Sequence, residues 1–217
     1  MSIAIVDYGA GNLRSVAHAV GHVGLDAVVT DHDKTILGAE GVILPGVGAA
    51  ADTMANLQSH DLVGVVKDVI ANGTPFFGVC MGLQALFTVS EEGGEHRCLD
   101  VFPGTVRRLP SGQSIPHMGW NQVRQVHAHP FFDGVPDEAN FYFVHSYYVD
   151  PVDFRIVAGQ TEYGTTFASV VIDGNVMATQ FHPEKSADCG LRLYANFGRI
   201  VRGELPLPSR APVTSAR

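Results

Sequence analysis

The sequence is poor in charge: only 17% of its 217 residues are Asp, Glu, Lys or Arg, and 14 basic residues face 22 acidic ones. A net charge of −8 excludes the clustered Lys and Arg that displace counterions from a nucleic-acid backbone, so no nucleic acid is expected as a partner. No apolar run approaches the roughly 18 residues that a membrane helix requires, so no membrane partner is expected either. The apolar N-terminal stretch lacks a basic flank and is broken by Asp7, so it reads as a first strand and not as a targeting peptide. Cysteine is scarce and odd in number. Cys80, Cys98 and Cys189 have no C-x-x-C spacing, which argues against a disulfide framework and fits a cytoplasmic setting with one thiol of interest. There is no Gly-Lys-Ser/Thr phosphate loop, and Arg14 stands where the dinucleotide fingerprint begun by Gly9-Ala10-Gly11 needs a third small residue. His18 and His22 share a helical face without an acidic neighbour, and His127-Ala128-His129 lacks companion ligands, so no metal and no cofactor is expected.

What is present is apolar. Hydrophobic residues make up 46% of the chain, enough for a full core, and with so little charge some of them are free to face a partner. In the first half, short apolar runs alternate with helical spacing. Ile3–Asp7, Asp26–Thr30, Gly41–Leu44 and Pro75–Val79 read as strands. Helices are predicted from Asn12, weakly between the second and third strands, over Leu62–Ala71 and over Met81–Val89. Continuous apolar strands alternating with helices imply a parallel sheet covered on both faces. The second half is strand-rich, with runs at Thr105–Leu109, Asn121–Val126, Phe141–Ser146, Ile156–Gln160, Phe167–Ile172 and Val176–Phe181, then a helix from about Ala187 to Val201. The expectation is an α/β fold: one three-layer domain over 1–202, its mostly parallel central sheet carrying an antiparallel strand extension. The Pro-, Ser- and Ala-rich tail 203–217 reads as disordered.

Three short motifs fall at predicted strand ends. In Gly78-Val79-Cys80-Met81-Gly82, a thiol sits between an apolar strand and a helix, with glycines two residues to either side. A nucleophile on such a turn gains close access, and a helix N-terminus favours its thiolate. The Met81 backbone N–H would then point into the same space, ready for an oxyanion. The pentapeptide is equally compatible with a buried structural cysteine between packing glycines. In His182-Pro183-Glu184, extended backbone aims residues two apart in the same direction, so Glu184 can orient His182 while the imidazole faces a thiol. A His-Pro turn beside a helix-capping Glu would look the same. In Gly46-Val47-Gly48, two glycines free the backbone to turn a peptide N–H towards a bound group, although an ordinary loop is the simpler reading. That all three fall at strand ends of one sheet outweighs any single match.

Taken together, Gly78–Gln84 and His182–Glu184 resemble the signatures of class I (triad) glutamine amidotransferases. The segments Asp7–Val16, Leu44–Ala49, Ile115–Asn121 and Phe141–Tyr148 are similar to those of the branch that forms the glutaminase subunit of imidazole glycerol phosphate synthase. The resemblance spans Ile3 to about Val201; Ala50 and Cys98 depart from residues common at their positions. It implies that Cys80 attacks the side-chain amide of L-glutamine to give a glutamyl thioester. His182 then protonates ammonia and activates water, and Glu184 holds the imidazole tautomer. It further implies oxyanion N–H groups from Val47 and Met81, glutamine contacts from Gly46, Gly48, Gln84, Ser146 and Tyr147, and a (βα)8-barrel cyclase as partner, facing Asn12, Trp120 and Lys185. The alternatives in view are the glutaminase of another amidotransferase and a non-catalytic regulatory module of the same fold.

Overall fold

Apolar side chains on both sides of each central strand can be buried only if the sheet is covered twice. The computed structural model describes residues 2–207 and has that form. Its first half comprises β1 (Ile3–Val6), α1 (Leu13–His22), β2 (Ala27–Thr30), α2 (Asp33–Leu37), β3 (Gly41–Gly46), α3 (Ala50–Ser59), α4 (Leu62–Ala71), β4 (Phe76–Cys80) and the single turn α5 (Met81–Gln84). The second half comprises β5 (Phe87–Ser90), β6 (His96–Arg97), β7 (Phe102–Arg108), β8 (His117–Gln125), β9 (Ala139–His145), β10 (Tyr147–Pro151), β11 (Val157–Glu162), β12 (Thr166–Asp173) and β13 (Val176–Thr179), followed by α6 (Ala187–Val201).

The sheet runs β2-β1-β3-β4-β13-β12-β10-β7-β5-β6, and its first five strands are mutually parallel. From β12 onward the pairing turns antiparallel, except that β5 lies parallel to β7. Strands β11, β8 and β9 branch from β12 as an antiparallel extension. Alternation along the strands sorts the core into two layers. Ala4, Val6, Val42, Leu44, Phe76 and Ala178 pack against α2, α3 and α4. Ile3, Ile5, Ile43, Phe77 and Met177 pack on the other face, under α1 and α6. Phe77 meets Phe131, Tyr194 and Phe197 at ring-centroid distances of 5.1, 5.5 and 5.6 Å. The architecture is the three-layer α/β arrangement expected from the sequence.

Three expectations are corrected. The helix predicted over Met81–Val89 stops at Gln84, and Phe87–Ser90 forms β5 instead. Long-range pairing wins there: the Ala85 carbonyl accepts from Leu99, Leu86 accepts from Val101 and Phe102, and β5 is drawn beside β7. The strand predicted to start at Asn121 starts at His117, because His117–Gly119 pair with His145–Phe143 of β9. The tail does not begin at 203. The amides of Gly203 and Glu204 bond back to the Ile200 and Arg199 carbonyls, and Leu205 and Leu207 pack against the α1/α6 layer. Residues 208–217, the rest of the predicted disordered tail, lie outside the described residues.

Candidate active site

Three neighbouring parallel strands deliver their C-terminal ends to one place. Gly46 at the end of β3 lies opposite Cys80 at the end of β4, and Thr179 of β13 lies opposite Val79, so His182 emerges just beyond the same edge. Cys80 has φ +55° and ψ −102°, a conformation few L-residues adopt, and one that lifts the nucleophile clear of the strand. Its flanking glycines are required by close approach. A Cβ on Gly82 would lie 2.0 Å from the Leu44 carbonyl oxygen, one on Gly78 2.7 Å from the Gly82 carbonyl, and one on Gly46 2.5 Å from Met81 Cβ. The elbow is therefore wedged against β3 by the three glycines that the sequence singles out.

The Cys80 thiol is buried. His182 is fixed from both sides: its N–H donates to Tyr142 O at 2.9 Å, and its carbonyl accepts from Ser186 Oγ at 2.6 Å. The imidazole Nδ1 lies 2.8 Å from Glu184 Oε1, with both side chains almost wholly buried. That pairing leaves Nε2, which has no hydrogen-bond partner, on the thiol side. Burial disfavours a charged ring. The influence of the Cys80 sulfur and then of the Glu184 carboxylate prevails, and His182 is pushed up to about 10. The ring therefore carries its second proton at neutral pH. Behind the carboxylate lies Tyr194, whose phenol is held well above its usual value by burial and then by the Glu184 charge.

A cavity of about 150 Å³ opens beside the thiol. Of the residues predicted to touch substrate, Val47, Gly48, Met81, Gln84, Ser146 and Tyr147 line it together with Cys80 and His182. Gly46 does not; it is buried behind them. Val47 is exposed at the rim, and Gly48 has φ +97° with open space around it, which suits a turn that reorients. Met81 opens α5, so its N–H is one of the orphan donors of that turn. Because α5 is a single turn, the field at the thiol comes from these few N–H groups and not from the longer helix that was expected.

The cavity also holds residues that sequence reasoning left unassigned: Glu92, Val144 and His145. Glu92 Oε2 accepts the Ala50 amide at 2.8 Å. His145 belongs to a chain whose proton positions are all forced. The Tyr147 carbonyl can only accept, so His145 donates to it from Nδ1 at 2.8 Å and leaves Nε2 as an acceptor. His117 Nδ1 must then donate to that Nε2 at 2.9 Å, and His117 Nε2 accepts from Asn121 Nδ2 at 3.3 Å. Both rings are neutral: burial lowers His117 to about 4 and His145 to about 3. His117 is further clamped between Tyr163 and Phe143, its ring stacked on each.

The three residues predicted to face a partner stand outside the cavity. Trp120 is 55% exposed and Met118, two residues before it on β8, is 62% exposed. Trp120 lies opposite Tyr142, ring edge to face at 6.1 Å, and Lys185 Nζ sits 5.8 Å over that same Tyr142 ring. Asn12 caps the start of α1, and α1 packs against the turn that carries Lys185. Among the described residues no group of three or more His, Cys, Asp or Glu could hold a metal ion. Among those residues, too, no helix is long and apolar enough to cross a membrane.

A buried thiol on a strained elbow, beside a histidine bonded to a buried carboxylate, on a sheet of this topology defines a class, and the sequence profile of glutamine amidotransferase class-I matches residues 4–198. The chain belongs to the class I glutamine amidotransferases. Within that family it is similar to two curated proteins named imidazole glycerol phosphate synthase subunit HisH. It is 50% identical over 202 residues to that of Dehalococcoides mccartyi (strain CBDB1), covering 93% of this chain and 98% of the relative. It is 52% identical over 200 residues to that of Moorella thermoacetica, covering 92% and 95%. The fold is shared with PurLQS from Thermotoga maritima (TM-score 0.73, 17% identity, 92% of this chain and 98% of that one). It is also shared with the glutaminase domain of Trypanosoma brucei CTPS (TM-score 0.69, 16% identity, 98% of each).

Proposed function

We propose that this chain is the glutaminase subunit of imidazole glycerol phosphate synthase. In this reading it hydrolyses L-glutamine and passes ammonia to a (βα)8-barrel cyclase in the cytoplasm, in the service of histidine biosynthesis. The observation that carries the chemistry is the Glu184–His182 pair at 2.8 Å, both side chains buried, behind a strained thiol that lines a cavity. Identity of about 50% over nearly the whole length of the HisH relatives supports the particular pathway.

The steps follow from the groups present. Cys80, as the thiolate, attacks the side-chain amide carbon of glutamine, and the carbonyl oxygen, now negative, is received by backbone N–H groups of Met81 and Val47. His182 already bears a proton on Nε2. It gives that proton to the amide nitrogen, the C–N bond breaks, and ammonia leaves behind a glutamyl thioester. Water then loses a proton to His182 as it attacks the thioester. The C–S bond breaks, the product departs as glutamate with its carboxyl proton passed to solvent, and the thiolate beside protonated His182 is restored. Glu184 keeps the imidazole oriented through both halves and offsets its charge. Among the groups lining the cavity, the Glu92 carboxylate and the unpartnered Gln84 Oε1 have the chemistry to match the α-ammonium of glutamine.

The cyclase would dock on the Met118–Trp120 face, where two large apolar side chains beside Tyr142 and Lys185 form an aromatic, partly charged patch. Such a face is a destination for apolar residues that the core does not use. A glutaminase acting alone would waste glutamine, so the Gly46-Val47-Gly48 turn, exposed at Val47 and Gly48, is taken to reach its productive form only with the cyclase bound. Glutamate release should therefore be measured for the chain alone and with the cyclase plus its nucleotide substrate. A rate that rises on addition supports the reading. Equal rates remove the activated turn from it, and no glutamate in either case overturns it. Trp120→Ala should weaken cyclase binding about tenfold or more while leaving Cys80 labelling by an alkylating agent unchanged.

A further inference from the structure

The side chain of Gln180 is wholly buried, in contact with Gln84 and with the Cys80 sulfur, and the triad mechanism makes no use of it. Its amide orientation is settled by a carbonyl at the other end of a short chain. Gln84 Nε2 lies 2.9 Å from Tyr147 O, which can only accept, so that atom of Gln84 is the donor. The same nitrogen lies 3.0 Å from Gln180 Oε1, so its second proton goes there. With Oε1 accepting, Gln180 Nε2 is the end that faces Cys80 Sγ, at 3.7 Å, and it donates to the sulfur. The Tyr147 carbonyl is itself held by His145 Nδ1 at 2.8 Å, so the anchor of the chain is not free to swing. The backbone of Gln180 is pinned as well, its N–H donating to Ser169 O at 2.9 Å.

We infer that Gln180 is a further catalytic residue, whose side-chain N–H donates to the Cys80 sulfur and stabilises the thiolate before attack. This rests on the glutaminase reading for its purpose, but not for its geometry. An N–H aimed at sulfur is a better partner for a thiolate than for a thiol, so it favours the reactive form. The donor also fixes where the sulfur sits relative to His182. The other ionisable groups close to the sulfur are His182, with Glu184 behind it, and Tyr8, whose phenol is pushed up to about 12 by burial and remains neutral. Gln180 adds a neutral donor to this set, which accepts no proton and does not compete with His182 for one. The same amide joins Gln84, a residue that lines the cavity and whose Oε1 is unpartnered, to the nucleophile. An occupant that pulls on Gln84 therefore also bears on the sulfur's donor.

The test is Gln180→Met, which keeps the length of the side chain and removes both the N–H donor and the carbonyl acceptor of its amide. Alkylation of Cys80 by iodoacetamide, followed against pH on the full chain, should show its midpoint moved up by about one pH unit, the loss expected for one hydrogen bond to a charged group. In glutamine hydrolysis kcat should fall about tenfold, with KM changed far less. A midpoint that does not move overturns the inference, even if kcat falls. The unaltered chain supplies a second reading that needs no variant to fold. With 15N-labelled glutamine side chains, the Gln180 amide protons should shift in step with ionisation of Cys80, and that shift should vanish in Cys80→Ala. Amide protons indifferent to the thiol overturn it equally. Neither measurement requires turnover. An unaltered chain that releases no glutamate, with or without the cyclase, defeats the glutaminase reading but leaves these two results to decide on Gln180.

Discussion

Two histidines line the same cavity and are driven in opposite directions. Burial works against protonation in both, yet His182 is pushed up to about 10 whereas His145 falls to about 3. The difference lies in what each ring touches. His182 faces a thiol on one side and a carboxylate on the other. His145 faces a carbonyl and the neutral ring of His117. Low dielectric raises the stakes of every polar neighbour, and the sign follows from the neighbour's charge. The region around β13 is thus built to hold a mobile proton, and the region around β8 and β9 to hold fixed ones. An enzyme that must donate and then recover a proton needs the first; a pocket that must keep its walls still benefits from the second.

The widest separation should come from replacing each ring in turn. His182→Asn is expected to lower glutamine hydrolysis by a thousandfold or more, whereas His145→Asn should act mainly through KM, raising it severalfold. Comparable losses of kcat in both variants would erase the distinction. Next in size is Glu184→Gln, which removes the carboxylate charge but preserves the shape. It should cut kcat about a hundredfold and bring the His182 titration, followed by NMR of the ring, down from about 10, leaving His145 where it is.

Stability should divide along the same line. A histidine whose folded value is raised contributes stability below the unfolded value of about 6.5 and loses it as pH climbs towards 10, which is the case for His182. The depressed pair behaves inversely. Above about pH 6.5 the unfolded chain gains nothing by protonating, but as pH falls towards 4 it binds protons that the folded rings of His117 and His145 refuse. Urea unfolding at pH 5, 7 and 9 should therefore show losses at both ends, on the order of 1–2 kcal/mol for each ring. His145→Asn should flatten only the acid limb. The smallest effect expected is from Cys98→Ser. Burial pushes that thiol up to about 11, its sulfur lies outside the cavity, and hydrolysis should stay within about twofold of the unaltered chain.

The mobile-proton region was the more legible one in the sequence. Its glycines sit at fixed offsets from Cys80, and Glu184 is two residues from His182 in extended backbone, so the local pattern already contains the geometry. Continuous apolar runs placed β1, β3, β4 and β13 in one covered sheet, which brought the two motifs to a common edge. The fixed-proton region resisted. His117 and His145 meet only because β8 pairs with β9 across 28 residues, and Gln84 reaches Gln180 across 96. A buried glutamine has no periodicity to announce it. The extent of α5 failed for a related reason: Met81–Val89 has helical composition, and the N–H donors that divert it by claiming the Ala85 and Leu86 carbonyls come from residues 99–102. Local spacing reveals elements and the motifs between them; contacts between distant strands decide where a helix yields and which polar side chains are enclosed.

In the proposed mechanism Cys80, served by His182 and Glu184, is the thiol that attacks glutamine. A chloroketone analogue of L-glutamine puts that to the most direct test, with the modified peptide identified by mass spectrometry and hydrolysis followed in parallel. One adduct per chain is expected, on Cys80, with activity lost in proportion and protection by glutamine. Glutamine hydrolysis that survives full modification of Cys80, or an inactivating adduct on Cys98 or Cys189, would contradict it.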